Sequence, residues 1–148
     1  MRGLFVTGTD TGVGKTWVSR GILFAARQHG LATVAMKPVE SGCARVRGEL
    51  IPADAIALAA AARLHESDGN LVCPYRLEAP LSPSVAARRQ DVRVELSIIA
   101  RARDVLFGRR PDLFVVEGAG GFLAPVNENQ LIADVAALFG FPVLIVAA

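Results

Sequence analysis

The chain has 148 residues, of which 52% are hydrophobic, and this predicts one domain with a substantial core. Its 16 basic and 14 acidic residues give a formal net charge of +2, and no long basic run indicates a nucleic-acid-binding surface. No stretch of about eighteen residues is free of charges and of Gly or Pro, which argues against a membrane-spanning helix. The first seven residues become polar too early for a signal peptide, so we expect a cytoplasmic protein.

Short apolar runs alternate with longer helical segments, and we treat residues 1–148 as one domain. In chain order, the predicted elements are a strand over 3–7, a helix over 15–28, a strand over 33–37, a loop over 39–52, a helix over 53–64, a short strand or extended loop over 71–77, a turn over 79–84 that opens a short helix through 87, a helix over 94–107, a strand over 113–116, a helix over 131–139 and a strand over 142–146. On the first helix, one face carries Val18, Ile22, Ala25 and His29. Strands separated by such helices pair in parallel with right-handed crossovers, which predicts an α/β fold.

The segment between the first strand and the first helix has the composition of a phosphate-binding loop. Residues 8–16 read Gly-Thr-Asp-Thr-Gly-Val-Gly-Lys-Thr, and a strand before and a helix after them are the context that such a loop requires. Lys15 is expected to reach the β- and γ-phosphates, and the Thr16 hydroxyl to ligate Mg²⁺. The first glycine, Gly8, comes one residue earlier than in the general pattern. The alternative is a glycine-rich turn that binds nothing.

Two carboxylates are candidates for a second part of the same site. Glu117 ends an apolar strand and precedes a glycine-rich turn over 118–121, which is typical of a carboxylate that holds Mg²⁺ directly or through water. Asp54 opens an alanine-rich helix, where mechanics alone favour a role as an N-terminal helix residue. A second magnesium carboxylate is the other reading of Asp54, and it needs support from outside the local sequence.

Several motifs together resemble the dethiobiotin synthetase family. They comprise the phosphate loop over 8–16 with its longer glycine spacing, Lys-Pro-Val-Glu-Ser-Gly over 37–42, Asp54, Pro-Leu-Ser-Pro over 80–83, and Val-Val-Glu-Gly-Ala-Gly-Gly over 115–121. The resemblance covers nearly the whole chain. It implies a three-layer P-loop NTPase-like fold with a mainly parallel sheet flanked by helices, incomplete at the C-terminal end.

The resemblance implies an ATP-dependent cyclo-ligase of biotin biosynthesis that acts on 7,8-diaminononanoate and CO₂. In this family a carbamate of the diamine attacks the γ-phosphate of ATP, and the second amine then displaces phosphate and closes the ring of dethiobiotin. Two anions meet in that reaction, so cations are needed, and the family likeness assigns this part to Lys15, Lys37 and Mg²⁺. A homodimer is expected from the family alone.

The same resemblance implies a role for individual residues. Lys37 and Lys15 would be catalytic, Thr11 and Ser41 would contact the diamine or its carbamate, and the expected magnesium ligands are Thr16, Asp54 and Glu117. The expected nucleotide-binding residues are Gly12, Val13, Gly14, Lys15, Thr16, Trp17, Asp54, Glu117, Gly118, Ala119 and Gly120.

The sequence also departs from the family and leaves other functions open. Ser84 stands where many members have His, and we identify no residue before Ala148 for the adenine or for the substrate carboxylate. The alternatives are a partner-regulated P-loop ATPase, a related amide-forming ligase such as a cobyric acid synthase, and a nucleotide-binding fragment without ligase activity. Asp10 argues against the first, because partitioning ATPases carry a lysine there. The sequence contains no Asn-Lys-x-Asp motif, which reads guanine in GTPases, and this argues against a GTPase.

Overall fold

The structure, a computed structural model, describes residues 2–147; Met1 and Ala148 lie outside the described residues. In chain order the elements are β1 (Arg2–Gly8), α1 (Lys15–Gln28), β2 (Thr33–Met36), β3 (Val39–Glu40), β4 (Ala44–Val46), β5 (Glu49–Ile51), α2 (Ala53–Ala62), a 3-10 turn (Glu66–Asp68), α3 (Gly69–Val72), β6 (Tyr75–Arg76), α4 (Pro83–Arg89), α5 (Leu96–Phe107), β7 (Leu113–Glu117), α6 (Ile132–Phe139) and β8 (Val143–Val146). The prediction of a single domain over 1–148 remains a prediction.

A four-stranded parallel sheet forms the centre of the described chain, in the order β2-β7-β1-β8. The two inner strands, β1 and β7, are buried along most of their length, as is usual for parallel strands covered on both faces, whereas the edge strand β8 is partly exposed. The prediction of an α/β fold with a mainly parallel sheet flanked by helices is confirmed.

Alternate residues of the strands point into two separate hydrophobic layers. On one face Phe5, Phe114 and Val116 pack with α5 and α6, for example against Leu106 and Phe139. On the other face the buried residues belong to β1, β2 and β7 together with α1 and α2, and they include Val6, Ala35, Val115, Leu23 and Leu58. Helices therefore cover both sides of the sheet, which makes the three layers that the resemblance implied.

The side of α1 that faces the sheet differs from the one that its apolar residues suggested. The buried residues are Lys15, Ser19, Leu23 and Ala26, whereas Ala25 and His29 are exposed. The face shifts because Lys15 and Ser19, although polar, are drawn in beside the phosphate loop and the sheet. Gly30 does end the helix, with a φ of 76°.

Two segments contain more regular structure than their sequences indicated. The predicted loop over 39–52 contains β3 and the antiparallel hairpin of β4 and β5, and the segment 71–77 contains the end of α3 and β6. β3 and β6 pair with each other in parallel, Val39 opposite Tyr75. This pairing joins segments over thirty residues apart, so no local pattern announces it. Among residues 2–147, no helix is long and apolar enough to cross a membrane.

Candidate active site

The functional side chains gather at one edge of the central sheet because its strands run in parallel. In the register of β2 and β7, Met36 pairs with Val116, so the next residues, Lys37 and Glu117, come out side by side. β1 ends beside them at Gly8, where the phosphate loop begins. The carboxyl edge of an open α/β sheet is the usual place for a ligand.

The phosphate loop leads directly into α1, and its geometry suits an anion. Gly14 precedes the helix with a φ of 100°, a left-handed conformation that favours glycine. The first turn of α1 contains no acidic residue, so the partial positive charge of the helix N-terminus is not offset there. The Nζ of Lys15 donates a hydrogen bond of 2.7 Å to the carbonyl of Asp10, which holds the ammonium over the loop.

A cluster of charged and hydroxyl groups surrounds the ammonium of Lys37. Its Nζ donates to Oε1 of Glu117 at 2.6 Å and to Oδ2 of Asp54 at 2.8 Å. The Thr16 hydroxyl donates to the same Oε1 of Glu117 at 2.8 Å. Glu117 is fully buried, and its second oxygen, Oε2, has no hydrogen-bond partner among the described residues. We call Thr16, Lys37, Asp54 and Glu117 the Lys37 cluster.

The two lysines of the site experience opposite electrostatic effects. Burial alone would lower the pKa of Lys37, but the carboxylates of Glu117 and Asp54 outweigh it and raise this pKa above its ordinary value of 10.5. Burial lowers the pKa of Lys15, and repulsion from the ammonium of Lys37 adds to this effect. Lys37 is therefore held as a cation by its partners, whereas the charge on Lys15 is poorly compensated and favours an incoming anion.

Asp54 lies in the first turn of α2, and its carboxylate reaches the cluster from there, while its role as a magnesium ligand stays a prediction. Its backbone is tied down by Glu40. The two oxygens of that carboxylate accept the backbone N–H groups of Asp54 and Ala55, each at 2.9 Å. Glu40 is only 6% exposed, and burial raises its pKa although the two backbone hydrogen bonds oppose the shift.

An open cleft of about 610 Å³ runs over the phosphate loop and the Lys37 cluster. Of the residues predicted from sequence, it is lined by Thr11, Gly12, Gly14, Lys15, Thr16, Trp17, Lys37, Ser41, Asp54, Glu117, Ala119 and Gly120. Val13 and Gly118 do not line it. A Cβ on Gly118 would meet Ile132 at 2.9 Å, so this glycine faces the packed interior instead of the cleft.

The cleft also contains residues to which sequence reasoning gave no role. They are Asp10, Glu40, Pro80, Leu81, Ser82, Pro83, Gly121 and Ala124. Gly121 brings the second glycine-rich turn against the phosphate loop, since a Cβ there would lie 3.3 Å from the carbonyl oxygen of Thr9. The motif over 80–83 and the glycine-rich turn were visible in the sequence, whereas their place in the lining of the cleft depends on the tertiary fold.

A sequence profile for an AAA domain matches residues 2–148. The chain belongs to the AAA domain family.

In this AAA domain, Lys15 and Lys37 are the only lysines of the sequence, and both are buried at the cleft. Every other basic side chain is an arginine or a histidine, so an amine-directed reagent has few competing targets.

Curated relatives of this AAA domain share the name ATP-dependent dethiobiotin synthetase BioD. The chain is 47% identical over 152 residues to the one from Anaeromyxobacter dehalogenans (strain 2CP-C), and 49% identical over 147 residues to the one from Anaeromyxobacter sp. (strain K). It is 39% identical over 151 residues to the one from Thermodesulfovibrio yellowstonii. These alignments cover 97–99% of this chain, which spans 62–63% of the length of the relatives.

Proposed function

We propose that this AAA domain binds Mg²⁺ and ATP and contributes to the ATP-dependent closure of dethiobiotin from 7,8-diaminononanoate and CO₂. The observation that carries the proposal is the buried ammonium of Lys37, held 2.6 Å from Glu117 in the same cleft as the phosphate loop. A switch ATPase of the partitioning type carries its additional lysine in the phosphate loop, at the position of Asp10, and gives no role to a lysine at the position of Lys37. A reaction between two anions gives that lysine a role, because a fixed cation lowers their repulsion in a site where it is already desolvated.

The residues of the cleft divide this chemistry between them. Lys15 and the amides at the start of α1 would hold the β- and γ-phosphates. The carbamate of the diamine attacks the γ-phosphorus and ADP leaves, and the second amine then expels phosphate as the ring closes. Lys37 would lie between the carbamate and the γ-phosphate, and Thr11 and Ser41 would contact the diamine or its carbamate. Positioning of this kind is most of what phosphoryl transfer requires.

The Lys37 cluster also fits a magnesium ion. Its oxygens come from one hydroxyl, Thr16, and two carboxylates, Asp54 and Glu117, and Mg²⁺ prefers such ligands and keeps several of its waters. The buried Oε2 of Glu117, without a partner in the described chain, supplies an unused acceptor. Among residues 2–147, no group of three or more His, Cys, Asp and Glu gathers, so phosphate oxygens and water would complete the coordination. When bound, Mg²⁺ would neutralise charge on the phosphates.

Phosphate release tests the proposal directly. The chain is incubated with ATP and Mg²⁺, with and without the diamine and bicarbonate, and Lys37→Ala is measured beside it. We expect release that depends on the diamine and is lost in Lys37→Ala, while this variant still binds ATP through its phosphate loop. Arg27→Ala is a control outside the cleft, in which a basic side chain that donates a hydrogen bond of 2.8 Å to the carbonyl of Ala61 is lost. ATP binding without any effect of the diamine would contradict the ligase assignment and favour a nucleotide-binding protein without ligase activity.

We also propose a homodimer, which rests on the family resemblance, and a cytoplasmic location. The mass of the particle in solution, measured by light scattering after gel filtration, tests the dimer, and fractionation of cells that express the chain tests its location. A monomer at micromolar concentration with full activity would contradict a dimeric active form.

A further inference from the structure

Glu40 lines the cleft, yet its carboxylate accepts hydrogen bonds from backbone N–H groups and not from side chains of the Lys37 cluster. It follows Lys37 by three residues, in the short strand β3, and its side chain spans to the first turn of α2. Each carboxylate oxygen accepts one backbone N–H, from Asp54 and from Ala55, at 2.9 Å. The residue at the N-cap of α2 is Pro52, which offers no side-chain cap, so Glu40 provides the capping acceptors from a distant segment.

These hydrogen bonds complete a closed ring of contacts that includes the ammonium of Lys37. The ring runs from the Lys37 ammonium to the Asp54 carboxylate, through the Asp54 backbone to Glu40, and along residues 38–40 back to Lys37. The side chain of Asp54 is 45% exposed, and Lys37 is the one side chain that binds its carboxylate within residues 2–147. The direction of that carboxylate therefore depends on how firmly the first turn of α2 is held.

We propose that Glu40 is a positioning residue, which fixes the first turn of α2 so that the Asp54 carboxylate points at the other members of the Lys37 cluster. The two bonds are charge-assisted, and a carboxylate at a helix N-terminus also interacts favourably with the helix dipole. A neutral amide in place of Glu40 retains one acceptor and turns an NH₂ group toward a backbone donor. Asp54 then loses its fixed direction, although its own side chain is intact. The inference rests on the proposed function only in taking Asp54 to be a ligand of Mg²⁺.

The test compares nucleotide binding with and without magnesium. Trp17, the only tryptophan, lines the cleft and is 82% exposed, so its fluorescence is the probe of ATP binding. Dissociation constants for ATP are measured in EDTA and in excess Mg²⁺, and their ratio is the magnesium gain. For Glu40→Gln we expect ATP affinity in EDTA to stay within about twofold and the magnesium gain to fall about tenfold, the effect of losing a charged hydrogen bond. The milder Glu40→Asp, too short to reach both amides, should fall in between.

Asp68→Asn is the matched control. Asp68 is also 6% exposed and also accepts a backbone N–H, from His65, but its charge is paired with Arg109 outside the cleft. We expect it to lower the melting temperature and to leave the magnesium gain unchanged. Asp54→Asn provides a second criterion, since adding Glu40→Gln to it should not reduce the gain further if Glu40 acts through Asp54.

Two results would overturn the inference. One is an unchanged magnesium gain in folded Glu40→Gln and Glu40→Asp, which would leave Glu40 with structural importance only. The other is a wild-type chain whose ATP affinity does not respond to Mg²⁺. Diamine-dependent phosphate release is measured separately on the same samples. A chain with a magnesium gain that Glu40→Gln reduces, but without diamine-dependent release, would support the role of Glu40 and refute the ligase function.

Discussion

Removing the charge of Lys37 should destabilise the protein, and the structure allows the size of the effect to be worked out. In Lys37→Met the alkyl stem is kept, but Glu117 remains fully buried with only the Thr16 hydroxyl as a donor. Breaking a buried ion pair by removing one partner costs about 3–5 kcal/mol, because the remaining charge has left water without compensation. For a domain of this size, that corresponds to a fall of roughly 6–20 °C in the melting temperature.

The assay is urea denaturation at neutral pH, followed by circular dichroism, on a double-mutant cycle. Glu117→Gln added to Lys37→Met removes the second charge as well, and we expect most of the lost stability to return, since replacing both partners of a buried pair is often nearly neutral. The matched control is Arg45→Met, which breaks the ion pair of 2.9 Å with Glu78. Both side chains of that pair are about half exposed, so a loss of at most about 1 kcal/mol is expected.

Additive losses of stability would show that Lys37 and Glu117 act independently. If Lys37→Met costs no more than Arg45→Met, or if Glu117→Gln adds its own loss instead of restoring stability, the two charges are not coupled in the folded protein. The Lys37 cluster would then not be the electrostatic centre of the site, and the proposed role of Lys37 as a held cation would fail with it.

Three further predictions concern the same cleft. Lys15→Met should weaken ATP binding by about tenfold or more, through the loss of a charged hydrogen bond. The same change should raise the stability of the ligand-free protein, because burial disfavours the ammonium of Lys15. Trp17 fluorescence measures the binding and thermal melts the stability, and a variant that loses both would contradict this prediction. Because the pKa of Lys37 is raised, the contribution of its charge to stability is complete below pH 10.5 and is lost as the pH rises through the raised pKa. In urea denaturation at increasingly alkaline pH, the free energy of unfolding should therefore fall more steeply for the wild type than for Lys37→Met/Glu117→Gln. Parallel falls in the two proteins would exclude the effect. Gly118→Ala should lower the free energy of unfolding by about 1–3 kcal/mol, since the new methyl group would lie 2.9 Å from Ile132, and a stability equal to the wild type in chemical denaturation would show that this wall is loosely packed.

The local sequence determined most of the elements and the chemical types at the site. The helix Lys15–Gln28 has the predicted bounds, and the strand ends at Gly8, Met36 and Glu117 lie within one residue of expectation. These positions were readable because a buried parallel strand is continuously apolar and because glycine and proline interrupt it sharply. The phosphate loop and the carboxylate at a strand end were equally visible, since both depend on residues that are neighbours in the chain.

Only the tertiary structure decided which of these residues meet. Lys37 and Glu117 lie 80 positions apart, and the parallel register of β2 and β7 brings their charged atoms to 2.6 Å. The capping of α2 by Glu40 and the pairing of β3 with β6 are also contacts between distant segments. Such contacts leave no periodic signal in the sequence, because a strand pattern records how much of a residue is buried and not which neighbour buries it.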